Sequence, residues 1–234
     1  ILYIAVALII NSSYLTVDRL MRLRSNVIHA LGNSGETVRL EEDDTVDIQL
    51  FQDGYVVLTR NGISICGADG NVYSTHVLQY KQPCIKVCGK YILCFDRGST
   101  KWHLLNSFRV LCSGTSAGDI INGAVTEDGY FAICSERTDY KGSVTVYNTE
   151  GTELSRWNSV TYLIDAFFTE KSCLTVVSLS SDREKTHTVF TQFNYKKAEA
   201  ESSVTATDTF PLALSLKDGG SVEMLTASGA MVFD

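Results

Sequence analysis

Residues 114–118 read Gly-Thr-Ser-Ala-Gly, the spacing of a nucleophile elbow. That device needs a strand before Ser116 and a helix after it, so that the hydroxyl stands on a tight strand-to-helix turn. Residues 109–112 can supply the strand. Residues 119–134, however, read as strand, turn and strand, so the motif falls on a loop between elements and hydrolase chemistry is disfavoured. The four histidines, His29, His76, His103 and His187, are far apart and form no His-Glu-x-x-His pattern for a metal. Most of the seven cysteines lie inside apolar runs such as residues 91–95 and 130–134. That placement suits small buried hydrophobes better than a disulfide framework. Cys84 and Cys88 share one strand face, but no second pair or flanking histidine completes a metal site. These residue types lead to no expected catalytic residue, cofactor or metal.

Two other groups carry more information. Residues 96–102, Asp-Arg-Gly-Ser-Thr-Lys-Trp, are close to an Asp-box hairpin, with one residue too many. In such a hairpin the carboxylate ties the turn together, so Asp96 is expected to accept bonds from turn amides. Arg97 is then left for ligand or partner contact. Asp47, Asn122 and Asp165 occupy matching places in Val-Asp-Ile, Ile-Asn-Gly-Ala and Ile-Asp-Ala. Each opens a strand-like run. If those strands share an axis, the three side chains ring a channel, either bonding to crowded backbone or holding an ion or ligand.

The elements that must position these residues are short strands. The first set covers residues 45–80, the second 84–114, the third 120–159, the fourth 163–204, and a fifth begins at Phe210. Each set runs from a mixed strand through a tight turn to an apolar strand, then an alternating strand, then a more polar one. A four-strand unit recurring at about 40 residues is the signature of β-propeller blades. The second strand is apolar throughout because neighbouring blades cover both of its faces. The outermost strand meets solvent and turns polar. Asp53-Gly54, Asp128-Gly129 and Asp218-Gly219 supply turns between first and second strands, and Asp69-Gly70 and Glu150-Gly151 between third and fourth. The fold class is therefore all-β, a propeller of four-stranded antiparallel blades. Four to five blades are expected here, with the sheet ring continuing beyond Asp234. Trp102 and Trp157 are expected to pack in or between blades.

The totals are consistent with a packed domain: 234 residues, 44% apolar, net charge −7 and no Lys/Arg run. Nucleic-acid binding by phosphate neutralisation is disfavoured. The first ten residues are all apolar. As a helix they span about 15 Å, half of a bilayer core. We read residues 1–15 as part of a transmembrane anchor; a signal-peptide core and a buried core element are the alternatives. Residues 16–32 form an amphipathic helix, with Thr16 as N-cap and Gly32 as the stop. Its Val17, Leu20, Leu23, Val27, Ile28 and Leu31 share one side. Arg19, Arg22, Asn26 and His29 lie mostly on the other, facing solvent, and Arg19, Arg22 and Arg24 are available to anionic headgroups. Residues 33–44 are a polar linker, and residues 45–234 carry the blades.

The second and third units resemble an uncharacterised family of bacterial membrane-anchored, propeller-like proteins of unknown function. The resemblance rests on Phe95-Asp96-Arg97-Gly98-Ser99, then Val146-Tyr147-Asn148 with Gly151, then Trp157, and is strongest over residues 84–165. It implies a single-pass anchor in the bacterial envelope with an extracytoplasmic propeller, and it carries over no catalytic residues. The expected function is a membrane-tethered interaction scaffold or sensor with a protein partner at one propeller face. The alternative is a small-ligand- or metal-binding propeller, such as a hydrolase or quinone-cofactor protein.

Overall fold

The computed structural model describes residues 20–24, 27 and 45–233, apart from 171, 183 and 218. Residues 20–24 and 27 are helical; we call this helix α1. The anchor assigned to residues 1–15 and the linker at 33–44 lie outside the described residues. Among the described residues, no helix is long and apolar enough to cross a membrane.

From Thr45 onward the chain forms strands in the sets read from the sequence. The first sheet holds β1 (Thr45–Phe51), β2 (Gly54–Thr59), β3 (Gly62–Gly67) and β4 (Val72–Val77). The second holds β5 (Pro83–Cys88), β6 (Tyr91–Asp96), β7 (Lys101–Leu105) and β8 (Val110–Thr115). The third holds β9 (Ile120–Val125), β10 (Phe131–Ser135), β11 (Gly142–Tyr147) and β12 (Glu153–Ser159). The fourth holds β13 (Tyr162–Glu170), β14 (Cys173–Ser181), β15 (Thr186–Asn194) and β16 (Glu199–Ala206). A three-stranded sheet, β17 (Ala213–Leu216), β18 (Val222–Thr226) and β19 (Gly229–Phe233), follows. Each strand pairs antiparallel with the next in sequence within its sheet.

Side-chain alternation explains why the sheets stack side by side. In β6, Ile92 and Cys94 join a cluster with Val56, Leu58 and Ile65 of the first sheet. Leu93 and Phe95 of the same strand point the other way, into a cluster with Phe131 and Ile133 of the third. In β10, Ala132 and Cys134 pack against Leu174 and Val176 of the fourth sheet. In β14, Val177 turns to Val222 and Met224 of the fifth. Every large side chain buried this way contributes about 1.5–3 kcal/mol. The second, third and fourth sheets thus each pack against a neighbour on both faces.

One third strand departs from expectation. Third strands read as alternating, as β7 largely is, yet all of β11 is buried. Its Ser143 and Thr145 are covered as fully as its valines because this strand also lies between two sheets, and Ser143 bonds Ser135 at 3.3 Å. The fourth strand of the next sheet, β16, is exposed along most of its length.

The turns mostly follow the Asp-Gly and Glu-Gly pairs. Gly129 adopts φ +85° and closes its turn by donating to the Thr126 carbonyl at 3.0 Å. Gly54 is different. The left-handed residue of that turn is Gln52, at φ 54°. Gly54 is required by close approach, since a Cβ there would stand 2.0 Å from the Cys66 carbonyl oxygen.

Helix α1 corrects a second expectation. Arg22, assigned from the wheel to the solvent or headgroup side, is 3% exposed. Its Nε and Nη2 donate to Ser107 Oγ at 2.9 and 2.8 Å, and Nη1 donates to Asp53. The guanidinium lies 4.9 Å from the Phe51 ring centre and 5.0 Å from that of Tyr73. Flat, weakly hydrated and rich in donors, a guanidinium can be buried where an ammonium would not be.

Candidate functional site

Three of the innermost strands, β1, β9 and β13, carry a recurrent feature that the sequence does not display. In β1 the register skips between Thr45 and Asp47, in β9 between Ile120 and Asn122, and in β13 between Leu163 and Asp165. Each skip is a bulge placed immediately before one of the three residues singled out above. A bulge re-aims the side chain that follows it and frees local backbone groups. Asn122 Oδ1 accepts the Gly123 amide at 3.0 Å, and Asp165 Oδ1 accepts the Ala166 amide at 2.8 Å. Asp47 instead accepts from the Gln49 side chain at 2.8 Å.

Strand β5 has no bulge, and its register sets Cys84 opposite Phe95, as Asp47 stands opposite Leu58 and Asn122 opposite Cys134. Cys84 is therefore the fourth member of this positional set. Lys86, two residues on, places its ammonium 3.9 Å from Asp165. Sequence reading missed Lys86 and Gln49. Gln49 donates to the Ile85 carbonyl at 3.3 Å, tying β1 to β5. The available signal was their shared offset, two residues after Asp47 and Cys84 respectively.

Burial holds the Asp165 carboxyl above its ordinary value, while Lys86, the Ala166 amide, Arg97 and the Asn122 side chain pull the other way. Two of the residues selected from the sequence, Asn122 and Arg97, thus act on the carboxyl of a third, Asp165. Arg97 is exposed, and its Nε donates to the Ile121 carbonyl at 3.1 Å. Beyond these residues, the inner strands line an open cavity of about 640 Å³. Gln49, Lys86, Gly123 and Ala166 form part of its wall, and Glu127, Tyr130, Phe168 and Tyr195 stand toward the turns.

The remaining candidates take structural places. Asp96 is buried and accepts the Lys81 and Gln82 amides at 2.9 and 2.7 Å. It does accept backbone amides, but from the segment before β5 rather than from its own turn. Ser116 lies between β8 and β9, bonded to the Gly118 and Thr100 carbonyls, with a strand following. Trp102 is buried between Phe131 and Tyr147, with ring centres 5.0 and 5.1 Å away. Burial pushes all seven thiols up, Cys112 to about 11, which keeps them protonated and poor nucleophiles. His103 pairs with the Tyr80 hydroxyl and His187 with Asp182 at 3.0 Å. His29 lies outside the described residues. No group of three or more His, Cys, Asp or Glu poised for a metal occurs among the described residues.

The architecture is shared with β-propellers. BBS1N, solved in complex with ARL6DN, is similar with a TM-score of 0.61 and 11% identity over 83% of this chain and 66% of that one. The WD40 propeller domain of Doa1 gives a TM-score of 0.56 and 12% identity, covering 80% of this chain and 62% of that one. The Neurospora crassa Pan2 WD40 domain gives 0.52 and 12%, covering 83% and 67%. The chain thus spans about two thirds or less of the length of those first two propeller chains. At these identities the likeness establishes the fold alone. No curated protein matches the sequence. A family profile described as "Family of unknown function (DUF5711)" matches residues 33–215. The chain is a member of that family, and its described sheets are blades of a β-propeller.

Proposed function

We propose that the chain is a membrane-tethered propeller serving as a protein-interaction scaffold or sensor in the bacterial cell envelope, held by a single-pass anchor within residues 1–15. The blades lie on the extracytoplasmic side in this reading. The observation that carries the scaffold role is the cavity of about 640 Å³ among the inner strands. Its walls are fixed by strands packed into inter-sheet clusters, while its mouth is built from turns. Rigid walls with variable turns are a common basis for partner recognition. The complex formed by BBS1N, a propeller of similar architecture, is consistent with this role.

The test is purification of the chain from its native membrane after mild crosslinking. A single stoichiometric partner should be lost with Tyr130→Ser at the mouth and retained with Val204→Thr on the exposed β16. A partner indifferent to the mouth, or none at all, overturns the scaffold reading.

A second reading is favoured by the Lys86–Asp165 pair beside Asn122 and Gln49. These groups can hold a small polar ligand or an ion. Elemental analysis of the purified chain decides it: a stoichiometric metal lost with Asp165→Asn and Asp47→Asn replaces the scaffold by a metal-binding propeller.

A further inference from the structure

Antiparallel pairing sends every turn after an odd-numbered strand to one face of the ring of sheets. The contacts of Arg22 with described residues lie there: Phe51 and Asp53 at the β1–β2 turn, Tyr73 at the start of β4, and Ser107 between β7 and β8. Arg22 therefore clamps α1 onto this face, bridging the first two sheets. At about 100° per residue, Leu20, Leu23 and Val27 share one stripe, turned well away from Arg22. They are 48%, 61% and 49% exposed. Arg24 stands exposed beside the stripe.

We propose that this stripe lies on a lipid surface, so that the face bearing Asp53 and Ser107 is turned toward the bilayer. The inference rests on the tethering reading above and adds an orientation to it. Residues 11–19, nine in number, separate the apolar run from Leu20. Fully extended they span at most about 30 Å, so an anchored run keeps α1 close to the headgroups. The stripe buries in the headgroup boundary, and Arg24 meets lipid phosphates. The face itself mixes Asp69, Glu127 and Asp128 with Lys90, Lys196 and Lys197, so charges of both signs meet an anionic leaflet. A consequence follows for the cavity, whose mouth opens among the same turns. Its partner approaches from the bilayer side, as an extramembrane segment of another membrane protein would.

The experiment uses the full 234-residue chain with vesicles of phosphatidylcholine and phosphatidylglycerol carrying nitroxide headgroups. A fluorescent amino acid is placed at Asp69 on the proposed near face or at Arg97 on the opposite one. Flotation reports tethering, and quenching reports orientation. Quenching should be several-fold stronger at Asp69 than at Arg97. Arg22→Gln should abolish the difference without affecting flotation, with circular dichroism confirming that the sheets remain folded. Leu20→Ser combined with Leu23→Ser, which leaves the clamp intact, should also reduce quenching at Asp69. Equal quenching at both positions during normal flotation overturns the orientation and spares the tether. Failure to float overturns both. Flotation without quenching, accompanied by a dimer in solution, assigns the stripe to a second copy of the chain and also overturns the proposal.

Discussion

The Lys86 ammonium lies 3.9 Å from the Asp165 carboxylate, linking the innermost strands of the second and fourth sheets. Asp165 is the more buried partner, with its side chain 12% exposed against 37% for Lys86. Its carboxyl is held above the ordinary 3.8, so the folded chain keeps a proton there that the unfolded chain releases. Its contribution to stability therefore falls as pH rises from 3.8 through the raised value, and stays lower above it. Asp165→Asn should remove that slope and be neutral or stabilising at neutral pH. Lys86→Met should push the carboxyl further up and cost about 1–2 kcal/mol at neutral pH, less than a fully buried pair because Lys86 is partly solvated. In the Asp165→Asn background the same change should cost almost nothing. Urea denaturation of the four proteins reads the coupling directly, and equal costs of Lys86→Met in both backgrounds would refute it.

The histidines give a slope of opposite sign. Burial lowers His103 below its ordinary 6.5, with Lys101 and His76 adding to the effect, and burial lowers His76 as well. The unfolded chain then binds protons before the folded chain does. Stability is lost as pH falls below 6.5, down to the lowered values. Melting temperature should drop over this interval, and His103→Gln should flatten the drop. An unchanged profile in that variant would show that other groups carry the acid limb.

Asp96 ties the strand-entry segment of the second sheet to β6 through two amides on one oxygen. Removing the acceptor leaves both amides to find other partners. Asp96→Ala should cost about 2–4 kcal/mol, because hydrogen bonds to a charged group are among the strong ones. Asp96→Asn keeps an oxygen in place and should cost about half as much. Equal losses would mean that charge, not acceptor geometry, is what this position supplies.

The strand sets were legible because period-two alternation and turn dipeptides are local properties of the chain. Residues 91–96 read as a covered strand and are one, with both faces in apolar clusters. Asp47, Asn122 and Asp165 align in the sequence because their neighbours repeat. The bulges preceding them do not show there, since register belongs to two strands at once. Cys84 escaped for a chemical reason: a thiol in the place of a carboxylate or amide breaks the pattern of type but not of position. Arg22 was misjudged because a helical wheel assigns charge to solvent, and only the tertiary socket of Phe51, Tyr73 and Ser107 reverses that rule. Gly54 looked like a turn glycine. Its reason is the Cys66 carbonyl across the sheet, a contact that the β1–β2 dipeptide cannot reveal.

Gly114 offers the sharpest test of the packing between the second and third sheets. A Cβ there would stand 2.3 Å from Trp102 Cζ2 and 2.8 Å from Cε2. Trp102 cannot retreat, because Phe131 and Tyr147 stack behind it with ring centres 5.0 Å apart. Gly114→Ala should therefore cost about 1–3 kcal/mol through overpacking, although alanine is ordinarily the better strand residue. Trp102→Phe removes the clashing ring atoms together with a buried Nε1 that has no hydrogen-bond partner among the described residues. In that background Gly114→Ala should be nearly silent, a coupling that chemical denaturation with near-ultraviolet circular dichroism can measure. Additive losses would place the strain elsewhere and weaken the view that β8 is fitted against the Trp102 face.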